Sequence, residues 1–146
     1  RDSVSLVNNR KIYNEKNIKN YMVVTFDLNN LKMCNDNYGH SSGDAYIIHS
    51  AHIIETTFDR FGKCYRIGGD EFCCLIPDAA EFQIERFIQK MQQDIAILNN
   101  KNIIPTEVGI ACGYALATPD DADIEKVRER ADEMMYHNKK VLKGLI

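Results

Sequence analysis

Apolar positions along this chain recur in two rhythms, one alternating or continuous, the other spaced by three and four, separated by short polar breaks. Arg10–Lys16 is weakly amphipathic and predicts a short opening helix. Tyr21–Asp27 (Y-M-V-V-T-F-D) is a continuous apolar run, rich in β-branched and aromatic residues, that ends on a carboxylate. It predicts a central strand buried on both faces. The next stretch, 28–40, predicts a short helix closed by Gly39, and a longer helix follows from about Ser42. In that helix Ile47, Ile48, Ala51, Ile54 and Phe58 form one expected apolar stripe.

Lys63–Ile67 and Glu71–Ile76 predict two short strands joined through Gly68-Gly69, a hairpin signal. After Pro77-Asp78, a helix is expected over Ala80–Leu98, with Ile84, Phe87, Ile88, Met91, Ile95 and Leu98 on one face, and then a polar turn at 99–102. Glu107–Ala117 alternates strictly. Val108, Ile110, Cys112, Tyr114 and Leu116 take one face, and glycine and alanine the other, so a second element can approach that face closely. A last helix is expected over Ile124–Leu142, with Ile124, Val127, Ala131, Met134 and Met135 facing inward.

Strand, two helices, two strands, helix, strand, helix is the order of an α+β fold with a mostly antiparallel central sheet flanked by helices. It fits the ferredoxin-like split β-α-β plan with one helix added. In that plan the hairpin's second strand lies antiparallel to the first strand of the domain. Asp27, at the end of one, then meets Asp70 and Glu71, at the start of the other.

Composition narrows the field. The 146 residues suit one domain, 1–146, with a single core. A net charge of −3 and no long Lys/Arg run argue against a nucleic-acid partner. No apolar run approaches the roughly 20 residues of a membrane-spanning helix, so no membrane contact by this domain is expected. There is no signal-peptide pattern, and the start without methionine reads as a cut from a longer protein. Five cysteines with no C-x-x-C pair read as reduced thiols of a cytoplasmic protein rather than a disulfide or zinc framework.

Three acidic side chains at one sheet rim repel one another unless a cation joins them. Mg²⁺, a hard ion usually held by one or two carboxylates plus substrate phosphates, is the natural occupant. Gly68-Gly69 admits two readings, a turn that needs glycine's backbone freedom or bare backbone against which a phosphate or base can lie.

Arg66–Phe72 reads R-I-G-G-D-E-F and resembles the defining motif of the GGDEF family, the diguanylate cyclase domains. Asp27–Asp36 (D-L-N-N-L-K-M-C-N-D) is similar to that family's D-x-D-x-F-K-x-x-N-D, and Gly39-His40 with Gly43-Asp44 fits its G-H-x-x-G-D. Ala131-Asp132, Tyr136 and Lys139 fit the closing A-D-x-x-x-Y-x-x-K, while Asp2, Asn9 and Arg10 align with the opening motif.

The resemblance implies a palm-type nucleotidyl cyclase fold and the condensation of two GTP molecules into cyclic di-GMP. It implies Mg²⁺ (or Mn²⁺) held by Asp27, the Leu28 carbonyl, Asp70 and Glu71. Asn35 and Asp44 would read the guanine edge, and Gly68 and Gly69 would lie along the nucleotide. Lys32, Lys139 and Arg66 would neutralise phosphate. Because one domain binds one GTP, catalysis would need a two-fold homodimer. The family context implies the C-terminal output domain of a longer protein, cytoplasmic itself or the cytoplasmic part of a membrane-anchored sensor.

Departures are specific. The family's product-binding R-x-x-D becomes Asp59-Arg60-Phe61-Gly62, which implies no feedback inhibition through that site. Asn29 replaces the second aspartate of D-x-D, Leu31 the phenylalanine, Leu6 a glycine, and Lys140–Gly144 the closing x-x-G-R-N. The alternative these changes raise is a catalytically weak or inactive domain that acts as a GTP-binding regulatory module.

Overall fold

The computed structural model describes residues 20–145, so the expected helix at 10–16 and the residues Asp2, Leu6, Asn9 and Arg10 lie outside the described part. In chain order the elements are β1 (Met22–Leu28), α1 (Leu31–Tyr38), α2 (His40–Phe58), β2 (Lys63–Arg66), β3 (Glu71–Ile76), α3 (Ile84–Asn100), β4 (Ile110–Leu116) and α4 (Ile124–Leu142). The strands form one sheet in the order β2-β3-β1-β4, each neighbouring pair antiparallel. The expected α+β fold is the observed one.

β1 is buried along its whole length, as its unbroken apolar run predicts. Met22, Val24, Phe26 and Leu28 point into the larger core, with Phe72, Cys74 and Ile76 of β3 and buried residues of α1, α2 and α3. Val23, Cys73 and Leu75 point the other way, onto Ile124, Val127 and Ala131 of α4. By the same alternation Asp27 and Glu71 fall on the α4 side. All five cysteines are free and buried.

The small-residue face of β4 is where α4 docks. A Cβ on Gly113 would stand 2.2 Å from the Ala131 carbonyl oxygen and 2.2 Å from the Met135 amide nitrogen. α4 also covers the open edge of β4, whose unpaired amides would otherwise invite another strand. The Cys112 amide donates to Asn138 Oδ1 at 2.9 Å, and the Tyr114 amide reaches Met134 Sδ at 3.4 Å. Met134 is therefore not an inward core residue as expected: it caps a strand edge and is 38% exposed.

Other expectations shift as well. α2 begins at His40 rather than Ser42, because Gly39, at φ 92°, turns the chain sharply enough for one helix to follow another directly. Its inward face is centred on Tyr46, Ser50, Ile53, Ile54, Thr57 and Phe58, which leaves Ile48 in solvent. α3 spans Ile84–Asn100, later at both ends than Ala80–Leu98, since a turn bonds the Phe82 amide to the Ala79 carbonyl. Asn99, expected in a polar turn, is helical and bonds both the amide and the carbonyl of Val108 at 2.8 and 3.0 Å. That bracing fixes the approach to β4, whose paired part starts at Ile110 rather than Glu107.

Candidate active site

The β1–β3 register sets Asp27 directly opposite Glu71. One step further, the Leu28 amide donates to the Asp70 carbonyl oxygen at 2.9 Å. Asp27, the Leu28 carbonyl, Asp70 and Glu71 thus meet at one end of the sheet. From α4, Lys139 Nζ donates to Asp27 Oδ2 at 2.8 Å. Asp27 Oδ1 is buried and, among the described residues, no donor meets it.

A buried carboxylate with one oxygen unsatisfied is costly, and the electrostatics carry the same mark. Burial raises the Asp27 pKa above its ordinary 3.8, and the charge of Asp70 adds to the rise against the pull of Lys139. Lys139 is itself raised, first by its hydrogen bond to Asp27. It stays a cation, and one ammonium does not balance the acids. Glu71 rises above 4.5 through burial and then the charges of Asp27, Asp70 and Asp132. Asp132 rises through burial, against Arg128.

Among the described residues no three His, Cys, Asp or Glu side chains are gathered tightly enough to cage an ion alone. Mg²⁺ takes one or two carboxylates and completes its shell with water and phosphate oxygens. The orphaned Asp27 oxygen and the uncompensated acids fit such an ion.

These groups bind protons more tightly in the folded chain than unfolded. The stability of the ligand-free domain therefore falls as pH rises from their ordinary 3.8 and 4.5 through the raised values. A divalent ion should reverse that penalty near neutral pH. Mg²⁺ at a hundred times its dissociation constant should add about 2.7 kcal/mol, several degrees in Tm. Differential scanning fluorimetry checks this, and Asp27→Asn should abolish the shift; an undiminished shift would place the ion elsewhere.

Gly68 and Gly69 join β2 to β3. Neither has a positive φ, and a Cβ on either would meet nothing within 4 Å. The fold itself does not demand glycine there, so of the two readings the approach of a ligand to bare backbone is the better supported. Arg66 Nε and Nη2 donate to the Gly68 and Gly69 carbonyls at 3.1 and 2.9 Å, so this guanidinium holds the turn.

The two helices after β1 carry the remaining candidates. Asn30, at φ 61°, starts α1 two residues beyond the strand. Lys32 stands exposed in the first turn of α1, Asn35 is half-buried, and Asp44 is exposed in α2. A Cβ on Gly43 would fall 1.6 Å from Asn35 Oδ1, so this glycine reserves the space in which the Asn35 amide lies. Gly43→Ala should displace that flexible amide at little cost in Tm, which a thermal melt beside the unmodified domain checks.

The chain matches the family model "Diguanylate cyclase, GGDEF domain" over residues 4–143. It belongs to the GGDEF family. This GGDEF domain is 31% identical over 123 residues to the diguanylate cyclase DgcN of Escherichia coli (strain K12), covering 83% of the chain and 30% of that protein. It is 29% identical over 134 residues to the signaling protein YkoW of Bacillus subtilis (strain 168), covering 86% of the chain and 16% of that protein. The chain thus spans less than a third of either relative. The GGDEF domain of DgcB from Caulobacter crescentus, solved in complex with c-di-GMP, superposes with a TM-score of 0.81 at 20% identity, over 95% of this chain and 85% of that one.

Where the family's product-binding motif would lie, Arg60 stacks on the Phe61 and Phe87 rings at 4.7 and 5.7 Å. Two further groups border the site without a role assigned to them from the sequence. Arg128 and Asp132, at i and i+4 on α4, join the field around Glu71. Tyr46 is buried beneath the corner between β1 and α1, and the helical period running through Gly43, Tyr46 and Ser50 was the signal that could have marked it.

Proposed function

We propose that this domain is a diguanylate cyclase that condenses two GTP molecules into cyclic di-GMP with release of two pyrophosphates. The observation that carries the reading is the junction of Asp27 with Asp70 and Glu71 across β1 and β3, where a buried carboxylate oxygen meets no donor among the described residues, near a turn of bare glycines.

Asp27, the Leu28 carbonyl, Asp70 and Glu71 would hold Mg²⁺ or Mn²⁺. Bound there, the ion would neutralise phosphate oxygens and favour ionisation of the attacking hydroxyl. Asp44 accepts from guanine N1–H and its exocyclic amine, a donor pair that adenine lacks, and Asn35 bonds the same edge. Lys32 and Lys139 balance phosphate charge, and Arg66 keeps Gly68-Gly69 in shape for the nucleotide. Phosphoryl transfer of this kind depends on positioning and electrostatics, which these groups supply.

The 3′-hydroxyl of one GTP attacks the α-phosphate of the other, and pyrophosphate leaves. Two such steps close the ring, so two domains face each other in a two-fold dimer. Among the described residues no helix is long and apolar enough to cross a membrane. The reading places the domain in the cytoplasm, where its substrate is, as the output of a longer protein.

Asn29 favours a second reading. It puts a neutral amide, with a buried and unpartnered Oδ1, where the family has an aspartate. A domain weakened there would bind GTP and regulate without turnover. Calorimetric titration with GTP tests the part common to both readings. One GTP per domain, dependent on Mg²⁺ and lost in Asp27→Asn, is expected; no binding would overturn both.

A further inference from the structure

We propose that Tyr46 is a positioning residue that ties the Leu28–Asn30 corner in place from beneath. The proposal rests on the cyclase reading only in what that corner binds, not in the tie itself.

Tyr46 comes from α2 and is fully buried. Its hydroxyl donates to the Asn29 carbonyl oxygen at 2.5 Å and accepts from the Gly109 amide at 3.0 Å. The Asn29 amide in turn donates to the Gly109 carbonyl oxygen at 2.8 Å. One phenol therefore closes a ring of hydrogen bonds between the end of β1 and the segment leading into β4. A tyrosine buried this deeply needs a partner for its hydroxyl, and here both its donor and its acceptor capacity are used.

The corner it holds is locally unfavourable. Asn30 is a non-glycine residue at φ 61°, and the buried Asn29 Oδ1 has no partner among the described residues. Such features persist only when their surroundings over-determine them. The same corner presents the Leu28 carbonyl and launches α1, which carries Lys32 and Asn35. Tyr46 lies on the same helix as Gly43, which makes room for Asn35, and Asp44. One rigid helix thereby links the guanine-reading edge to the metal-binding carbonyl. Burial pushes the Tyr46 hydroxyl up to about 12, so it remains a donor throughout the working pH range.

The test is Tyr46→Phe, which removes only the oxygen. Hydrogen–deuterium exchange should accelerate about tenfold at the amides of Leu28, Asn29 and Gly109, the effect of one lost hydrogen bond on local opening. Amides of Cys73–Ile76, toward the opposite end of the β1–β3 ladder, should keep their protection. In the same variant the Mg²⁺ concentration for half-maximal GTP binding should rise severalfold, which uniform destabilisation would not produce.

Unchanged exchange at the corner, or equal acceleration in Cys73–Ile76, would overturn the proposal. If the unmodified domain binds no GTP, the cyclase reading fails while exchange still decides the role of Tyr46. Should the variant not fold, the unmodified protein supplies the test. Mg²⁺ with GTP should slow exchange at Gly109, a residue outside the proposed ligand set; no change there would count against the tie.

Discussion

Asp70→Ala is expected to lower cyclic di-GMP formation by roughly 10²- to 10³-fold, the usual cost of removing one transition-state charge contact. The fold should survive. What β1 takes from Asp70 is its main-chain carbonyl, which accepts from the Leu28 amide and is unaffected by side-chain truncation. The carboxylate itself lies at the rim, half-buried, opposing Asp27 electrostatically. Removing it relieves repulsion in the ligand-free state, so a melting temperature equal to or above that of the unmodified domain should accompany the loss of turnover. Product chromatography and a thermal melt on one preparation check both halves. Retained turnover would remove Asp70 from the metal site, and a collapsed melt would make the residue structural.

The second large effect concerns packing. Gly113→Ala is expected to cost about 3 kcal/mol or more, at the upper end for overpacking, and about 10 °C in Tm. The added carbon would press on the Ala131 carbonyl and the Met135 amide, both backbone atoms of α4 that no rotamer change can move. The helix must lift from β4. With it go Asn138, which caps the strand edge, and Lys139, which meets Asp27, so turnover should fall together with stability. Gly69→Ala, with nothing within 4 Å of the new carbon, is the stability control. A Gly113→Ala domain melting within about 2 °C of the unmodified one would contradict the close docking of α4.

Much of this was legible in the sequence because the signals are periodic or local. The unbroken apolar run ending in Asp27, the glycine pair before Asp70, and the small-residue alternation of β4 each have one economical structural solution. Together they place the three acids at one rim. What the sequence did not yield depends on contacts between distant elements. Ile48 and Ile54 look alike in a helical stripe, yet the sheet lies on only one side of α2, so one is exposed and the other buried. Met134 reads as core until the open edge of β4 supplies its partner. Asn99 reads as a turn residue, since nothing local announces that its amide will mimic a strand for Val108.

Candidate residues divide in the same way. Gly43 and Asn35 are eight positions apart, and their contact exists only once α1 and α2 have folded against each other. Tyr46 shows no local pattern tying it to Asn29 and Gly109, because that link crosses from helix to strand end. Chemistry concentrated in short motifs can be read in one dimension. The second layer that positions it cannot.

The central claim is that this junction of carboxylates, paired with its copy in a dimer, makes cyclic di-GMP. The most direct measurement fuses the domain to a parallel dimerising coiled coil, supplies GTP and Mg²⁺, and resolves the products by chromatography and mass spectrometry. Cyclic di-GMP with two pyrophosphates per molecule formed is expected, at a rate that falls steeply when the coiled coil is removed and the domain is diluted. No cyclic di-GMP, under conditions where a proven cyclase in the same fusion turns over, would contradict that claim.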